Sequence, residues 1–198
     1  MKFALGTVQF GLNYGISNTN GQVDKSTVRD ILTLAHANGI DALDTAIAYG
    51  ESEQIIGDIC QNFDNQFDII TKLTVQSAHS SSNLSQNIES QITESLIRLK
   101  TKAVYGLMLH SVDSLMSGDA RNIFKQLERL KKQKYCQKIG VSVYTPEQLI
   151  YVLDHFDIDI VQLPLNIIDQ RFTRQNIVEK LHDKGIEVHA RSLFLQGL

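Results

Sequence analysis

Short, near-continuous apolar runs alternate with amphipathic helical stretches along the whole chain, and this alternation restricts the fold more than any other feature. "FALGTV" (Phe3 to Val8) is the first run. Lys25 to Ala37 then carries Val28, Ile31, Leu32, Leu34 and Ala35 on a helical face, and Asn38-Gly39 stops it. "DALDTA" (Asp41 to Ala46) is the second strand, followed by a helix from Ser52 to Cys60. "FDIITKL" (Phe67 to Leu73) is the third. A polar loop, "TVQSAHSSS", leads into a long helix from Leu84 to Leu99, with Ile88, Ile92, Leu96 and Leu99 on one face. "VYGLMLH" (Val104 to His110) is the fourth strand, and Asp119 caps a helix that runs to Gln133. "KIGVSV" (Lys138 to Val143) is the fifth. Thr145-Pro146-Glu147 has the form of an N-cap with proline in the first helical position, and that helix runs to His155. "IDIVQLPLN" (Ile158 to Asn166), a helix from Thr173 to Lys184 ended by Gly185, and "IEVHARSLF" (Ile186 to Phe194) complete the pattern.

Seven strands and six helices follow. The strands are apolar throughout instead of alternating, as in a parallel sheet covered on both faces. An open doubly wound sheet and a closed (β/α)8 barrel both satisfy this. A nucleotide-type open sheet calls for G-x-G-x-x-G or G-x-x-x-x-G-K-[ST] after its first strand. "GTVQFG" spaces its glycines wrongly, and no helix is expected to begin there. The barrel is favoured, as one domain over residues 1–198.

Composition removes several partners. A net charge of -3 with dispersed basic residues gives no reason to expect nucleic acid or an anionic membrane surface. The densest basic run, Lys131, Lys132 and Lys134, reads as a solvated helix end. Cys60 and Cys136 are far apart and read as small buried apolar residues in a reducing compartment, and no metal is expected. The N-terminus is too polar for a signal-peptide core, and no apolar stretch reaches transmembrane length. A cytoplasmic location is the default.

In a parallel barrel the strand C-termini meet at one mouth, where chemistry is carried. Polar residues collect there: Asp44 after the second strand, Lys72 after the third, His110 after the fourth, Ser142 on the fifth, Gln162 and Asn166 on the sixth. Taken singly, Asp44 is a turn cap, Lys72 a solvated strand end and His110 a core histidine. Convergence changes their meaning. A tyrosine with an ordinary pKa of about 10 becomes a better acid beside an ammonium. A carboxylate keeps that ammonium charged, and a neutral imidazole can hydrogen-bond a carbonyl. Tyr49, in "DTAIAYGESEQIIG", supplies the phenol, and the four together suit proton donation to a carbonyl undergoing reduction.

Along essentially its whole length the chain resembles the aldo/keto reductase family. The resemblance rests on "LGTVQFG", "DTAIAYGESEQIIG", "TKL", "LMLHSVD", "IGVSVY" and "VQLPLNIID". It implies a (β/α)8 barrel that reduces an aldehyde or ketone with NADPH, less often NADH, and a catalytic tetrad of Asp44, Tyr49, Lys72 and His110. By the same resemblance Tyr49 is the proton donor, Lys72 paired with Asp44 lowers its pKa, and His110 orients the substrate. Gly6, Thr7, Asp44, Ser142, Gln162 and Ser192 fall at cofactor positions, with Asn166 a weaker candidate. Val143 stands where many members have asparagine. "LGTVQFGLNYGISNTNGQ" hints at a sugar-related carbonyl substrate.

The chain stops at Leu198, after the seventh strand, whereas the family continues through an eighth unit that carries much of the pyrophosphate and 2'-phosphate grip. The expectation is therefore an incomplete barrel with weak NADPH binding and poor turnover. It reads as an N-terminal fragment of a reductase, or as a short natural variant that self-associates through its open edges. Two further readings stand beside the reductase: a non-catalytic binding or regulatory barrel that keeps the site, and a lyase or isomerase barrel, against which the tetrad argues.

Overall fold

The computed structural model describes residues 3–63, 67–75, 81–116, 118–173 and 176–195, and of 81–83 only the backbone. Part of the polar loop after the third strand, the start of the last expected helix and the final residues of "RSLFLQGL" lie outside them. The described residues include seven strands: β1 (Ala4–Gly6), β2 (Ala42–Asp44), β3 (Asp68–Leu73), β4 (Val104–Leu109), β5 (Cys136–Ser142), β6 (Ile160–Pro164) and β7 (Glu187–Arg191). They form one sheet in the order β1-β2-β3-β4-β5-β6-β7, and each neighbouring pair is parallel.

The sheet is strongly curled. Laid flat, four strand spacings would separate β2 from β6 by about 19 Å. Yet Gln162 Nε2 on β6 donates to Asp44 Oδ1 on β2 at 3.0 Å. Likewise the Tyr105 hydroxyl on β4 donates to Glu187 Oε2 on β7 at 2.6 Å. The result is an incomplete (β/α)8 barrel of seven strands.

The helices are α1 (Val8–Gly11), α2 (Lys25–Ala37), α3 (Ser52–Cys60), α4 (Ser81–Leu99), α5 (Ala120–Lys132), α6 (Pro146–His155) and α7 (Ile177–Asp183), with a 3-10 turn at Val112–Met116. They cover the outer face of the sheet, where Leu32, Leu43, Ile56, Ile92, Leu107, Ile123, Val141, Val152 and Leu163 belong to one large apolar core. Inside the barrel the apolar cluster is small: Ile70, Met108 and Ile160. Below it, Lys138 and the Tyr105 hydroxyl both bond the Glu187 carboxylate, and His189 Nε2 lies 2.6 Å from Glu187 Oε1. The barrel floor is therefore polar.

Several boundaries differ from those expected. A single helical turn, α1, does follow β1 directly. It can sit there because Gly11 lets its backbone press against the loop after β2: a Cβ on Gly11 would lie 1.8 Å from the Tyr49 carbonyl oxygen. Asp119 precedes α5 but makes no side-chain cap bond. Thr145 does cap α6, in a reciprocal capping box with Gln148. Helix α7 starts at Ile177, not Thr173, after Asn176 adopts a left-handed conformation (φ 55°). Asn166 lies beyond β6, where its Oδ1 accepts the Ile168 and Asp169 amides and closes a turn. Ser192 lies beyond β7, exposed, with φ 60°.

Candidate active site

The C-terminal ends of β2, β3 and β4 bring the four expected residues to one place. Asp44 ends β2, and the chain then crosses toward β3: Thr45 N–H donates to Ile70 O at 2.9 Å and Ile47 N–H to Lys72 O at 3.2 Å. A buried hydroxyl knot fixes this crossing. Ser52 Oγ lies 2.9 Å from Thr7 Oγ1 and 3.1 Å from Thr45 Oγ1, and Thr7 Oγ1 donates to Asp44 O at 3.0 Å. The backbone then turns through Tyr49 N–H to Ala46 O and Ser52 N–H to Tyr49 O, both 3.0 Å. Tyr49 is thus held over the mouth by main-chain bonds at both of its ends.

Lys72 is 1% exposed. Its Nζ lies 2.6 Å from Asp44 Oδ1 and donates to Thr45 O at 3.1 Å. The same Nζ is 5.2 Å from the centroid of the Tyr49 ring. The His110 and Tyr49 rings meet edge to face, 5.7 Å apart, while His110 N–H donates to Leu73 O at 2.9 Å. Among the described residues no side chain or carbonyl bonds the Tyr49 hydroxyl, so it is open to a ligand.

The electrostatics differ from the expectation in one respect. Burial, and then Asp44, push the Tyr49 phenol above its ordinary value, with Arg191 opposing. Burial outweighs the lysine, whose charge is matched by Asp44 at contact distance. Burial lowers the Lys72 ammonium, with Asp44 holding it up. His110 is lowered by burial and by Lys72. The free site therefore presents a protonated phenol and a neutral imidazole at neutral pH.

The cofactor candidates divide. Ser142 and Gln162 are register partners on β5 and β6 and are both buried beneath the mouth. The Gln162 amide N–H goes to Asp44, and no described residue donates to its Oε1. Gly6 is exposed, with open space where a Cβ would stand. Thr7 is fully buried in the hydroxyl knot and has no exposed surface to offer a cofactor. Val143 turns its side chain into the outer core, away from the mouth. Asn166 and Ser192 are joined to each other, Asn166 Nδ2 donating to Ser192 O at 3.2 Å. They lie on loops, apart from the contacts that unite the four central residues.

Two residues at the mouth were not anticipated, Arg191 and Tyr144. The Arg191 guanidinium carbon lies 4.1 Å from the Tyr144 ring centroid. The signal in the sequence was the alternation Glu187, His189, Arg191, three charged or polar residues on one face of β7. They pair in register with Ile160, Gln162 and Pro164, and so share the inward face that Gln162 shows. Tyr144 and His110, with Thr74, Val75, Ser111 and Asp113, line a cleft of about 400 Å³ beside the tetrad.

The family model described as "Aldo/keto reductase family" matches residues 2–198. Among curated proteins, the NADH-specific methylglyoxal reductase of Escherichia coli is 27% identical over all of this chain and 64% of its own length. The D-arabinose 1-dehydrogenase of Saccharomyces cerevisiae is 26% identical over 65% of this chain and 40% of its own. The chain thus spans less than two thirds of either curated relative. Among solved structures, the holo form of an aldo-keto reductase from Bacillus halodurans superposes with a TM-score of 0.78 at 20% identity, covering 99% of this chain and 63% of that one.

Proposed function

The chain belongs to the aldo/keto reductase family, and on that premise we propose that it serves reduction of an aldehyde or ketone to an alcohol, with Tyr49 as the proton donor. The observation that carries this reading is the contact of four groups: Tyr49 edge-on to His110 at 5.7 Å, Lys72 Nζ 5.2 Å from the same ring, and Asp44 on Lys72 at 2.6 Å.

A nicotinamide cofactor, when bound, supplies the hydride. Ser142 and the free Oε1 of Gln162 suit its carboxamide, and the open space at Gly6 suits close approach to the strand end. NADPH is the form we favour, with NADH as the alternative suggested by the Escherichia coli relative. The substrate is a small carbonyl compound, with a sugar-related one favoured.

His110, neutral, donates a hydrogen bond to the substrate carbonyl oxygen and draws it toward the phenol. Tyr49 would pass its phenolic proton to that oxygen as negative charge grows on it during reduction. A phenol with a raised pKa can still do this, because the alkoxide formed is a much stronger base than a phenolate. The resulting phenolate faces Lys72, whose charge stabilises it only once it has formed. That is the interaction required for rate, stronger in the transition state than before it.

Loss of reduced-nicotinamide absorbance with a panel of aldehydes tests the proposal. Tyr49→Phe is expected to lower turnover by about 10²- to 10⁴-fold and to leave cofactor binding, read by fluorescence titration, unchanged. Unchanged turnover in this variant would remove Tyr49 from the role.

A further inference from the structure

Arg191 brings a guanidinium to the mouth, and Asp169, a carboxylate within its field, is already paired with Arg171 at 2.8 Å. Among the described residues it forms no ion pair, and its Nη2 makes one long hydrogen bond, 3.4 Å, to Val143 O. Its Nε is buried and has no partner. A guanidinium carries five N–H donors in a fixed fork, so stacking on Tyr144 and one bond leave most of them unused. Burying such a group is costly unless something pairs with it.

The local charge count points the same way. At the tetrad, Lys72 is matched by Asp44, so Arg191 is in excess. Its positive field reaches Tyr49, Lys72 and His110 as well as Asp169, and since Arg171 already matches Asp169, the excess stands beside the tetrad. The Tyr144 ring that supports the guanidinium also lines the cleft with His110. Asp113, the carboxylate lining that cleft, accepts from the Ser111 hydroxyl at 2.8 Å and makes no ion pair with Arg191.

We propose that Arg191 is a specificity-determining residue that receives a carboxylate or phosphate carried by the substrate, while the carbonyl of the same molecule meets Tyr49 and His110. This rests on the carbonyl-reductase reading above. A planar guanidinium held flat against an aromatic ring can present two parallel N–H groups to such an anion. The preferred substrates are therefore carbonyl acids or carbonyl phosphates, ahead of neutral aldehydes of the same shape. The same anionic chemistry could come from the cofactor pyrophosphate, and the test separates the two.

The test compares p-carboxybenzaldehyde with its neutral isostere p-carbamoylbenzaldehyde in the unaltered chain, Arg191→Met and Arg191→Lys. Arg191→Met is expected to lose about tenfold or more in kcat/KM for the acid, through KM, as for loss of a charge-assisted hydrogen bond. It should stay within about twofold for the amide, with NADPH affinity unchanged, and Arg191→Lys should recover part of the loss. Equal losses on both aldehydes, or weakened NADPH binding with the acid preference intact, overturn the proposal. If the unaltered chain reduces neither aldehyde, the reductase reading fails, and calorimetric titration with p-(hydroxymethyl)benzoate against p-(hydroxymethyl)benzamide decides the present one. A preference for the benzoate that disappears in Arg191→Met sustains it, and equal binding of the two overturns it.

Discussion

Lys72 Nζ and Asp44 Oδ1 lie 2.6 Å apart at the base of the mouth, with the lysine side chain 1% exposed and the carboxylate 16%. The asymmetry matters. Asp44 can reach water and the lysine cannot, so removing the carboxylate leaves an ammonium buried with only the Thr45 carbonyl for company. Breaking a buried pair in this way costs roughly 3–5 kcal/mol. Asp44→Asn is expected to lower the urea midpoint accordingly, and carbonyl reduction to fall with it. Asp44→Asn combined with Lys72→Met should regain most of the stability and none of the activity. A single variant as stable as the parent would show that Lys72 is not held by this pair.

Tyr49 is expected to titrate late, as is Tyr105, whose phenol burial and Glu187 also raise. Burial and Asp44 both hold the Tyr49 phenol above the ordinary value, so it keeps its proton at pH values where exposed phenols have lost theirs. Ultraviolet titration of the folded chain should show a late tyrosinate phase that Tyr49→Phe diminishes. In reduction, the acid form of Tyr49 is the active one, so a raised pKa moves any alkaline loss of activity to higher pH. A phase below the ordinary value of about 10 would mean that Lys72 outweighs burial.

The barrel, and the meeting of Asp44, Lys72 and His110 at its mouth, were legible because both are written locally. The period of apolar residues marks β3, β4 and β5 without knowledge of their neighbours, and strand order follows once each strand is parallel to the next. Asp44, Lys72 and His110 each sit at or next to a strand end, so topology alone gathers them. Thr7 shows the opposite case. Its sequence position is at the mouth, but its hydroxyl is committed to Asp44 O and faces Ser52, a contact across 45 residues that no local pattern encodes. The direction of the Tyr49 shift depends on burial, which only the folded chain defines. Arg191 was missed because the expected seventh strand ran on to Phe194, and the alternation of Glu187, His189 and Arg191 was read as part of one apolar run.

His110 gives the site an acid limit. Burial and the Lys72 charge depress its folded pKa below the ordinary 6.5, so the unfolded chain binds a proton that the folded chain resists. Where the unfolded state holds more protons, stability rises with pH. The His110 contribution is therefore complete above pH 6.5 and is lost as pH falls from there through the depressed folded value. His110→Asn should flatten that part of the stability curve measured by urea unfolding. It should also raise KM for a carbonyl substrate, since the imidazole donor is gone. An unaltered slope between pH 6.5 and the folded value would place the acid sensitivity in other groups.

Glu53 lies in the first turn of α3 and is 1% exposed. Thr71 Oγ1 donates to its Oε1 at 2.6 Å, the Ser95 hydroxyl donates to the same oxygen, and Arg98 Nε donates to Oε2 at 2.9 Å. One carboxylate thereby ties α3 to β3 and α4, directly behind the strand that carries Lys72. Glu53→Ala would strand three donors, one of them a guanidinium, and should cost about 3–5 kcal/mol. Glu53→Gln keeps the shape but loses the charge, so a smaller loss of about 1–3 kcal/mol is expected. Since Lys72 follows Thr71 on β3, loosening this anchor should also shift the ammonium beneath Tyr49. The late tyrosinate phase in Glu53→Gln should then move, although Glu53 touches no residue of the tetrad, and an unmoved phase would confine Glu53 to stability alone.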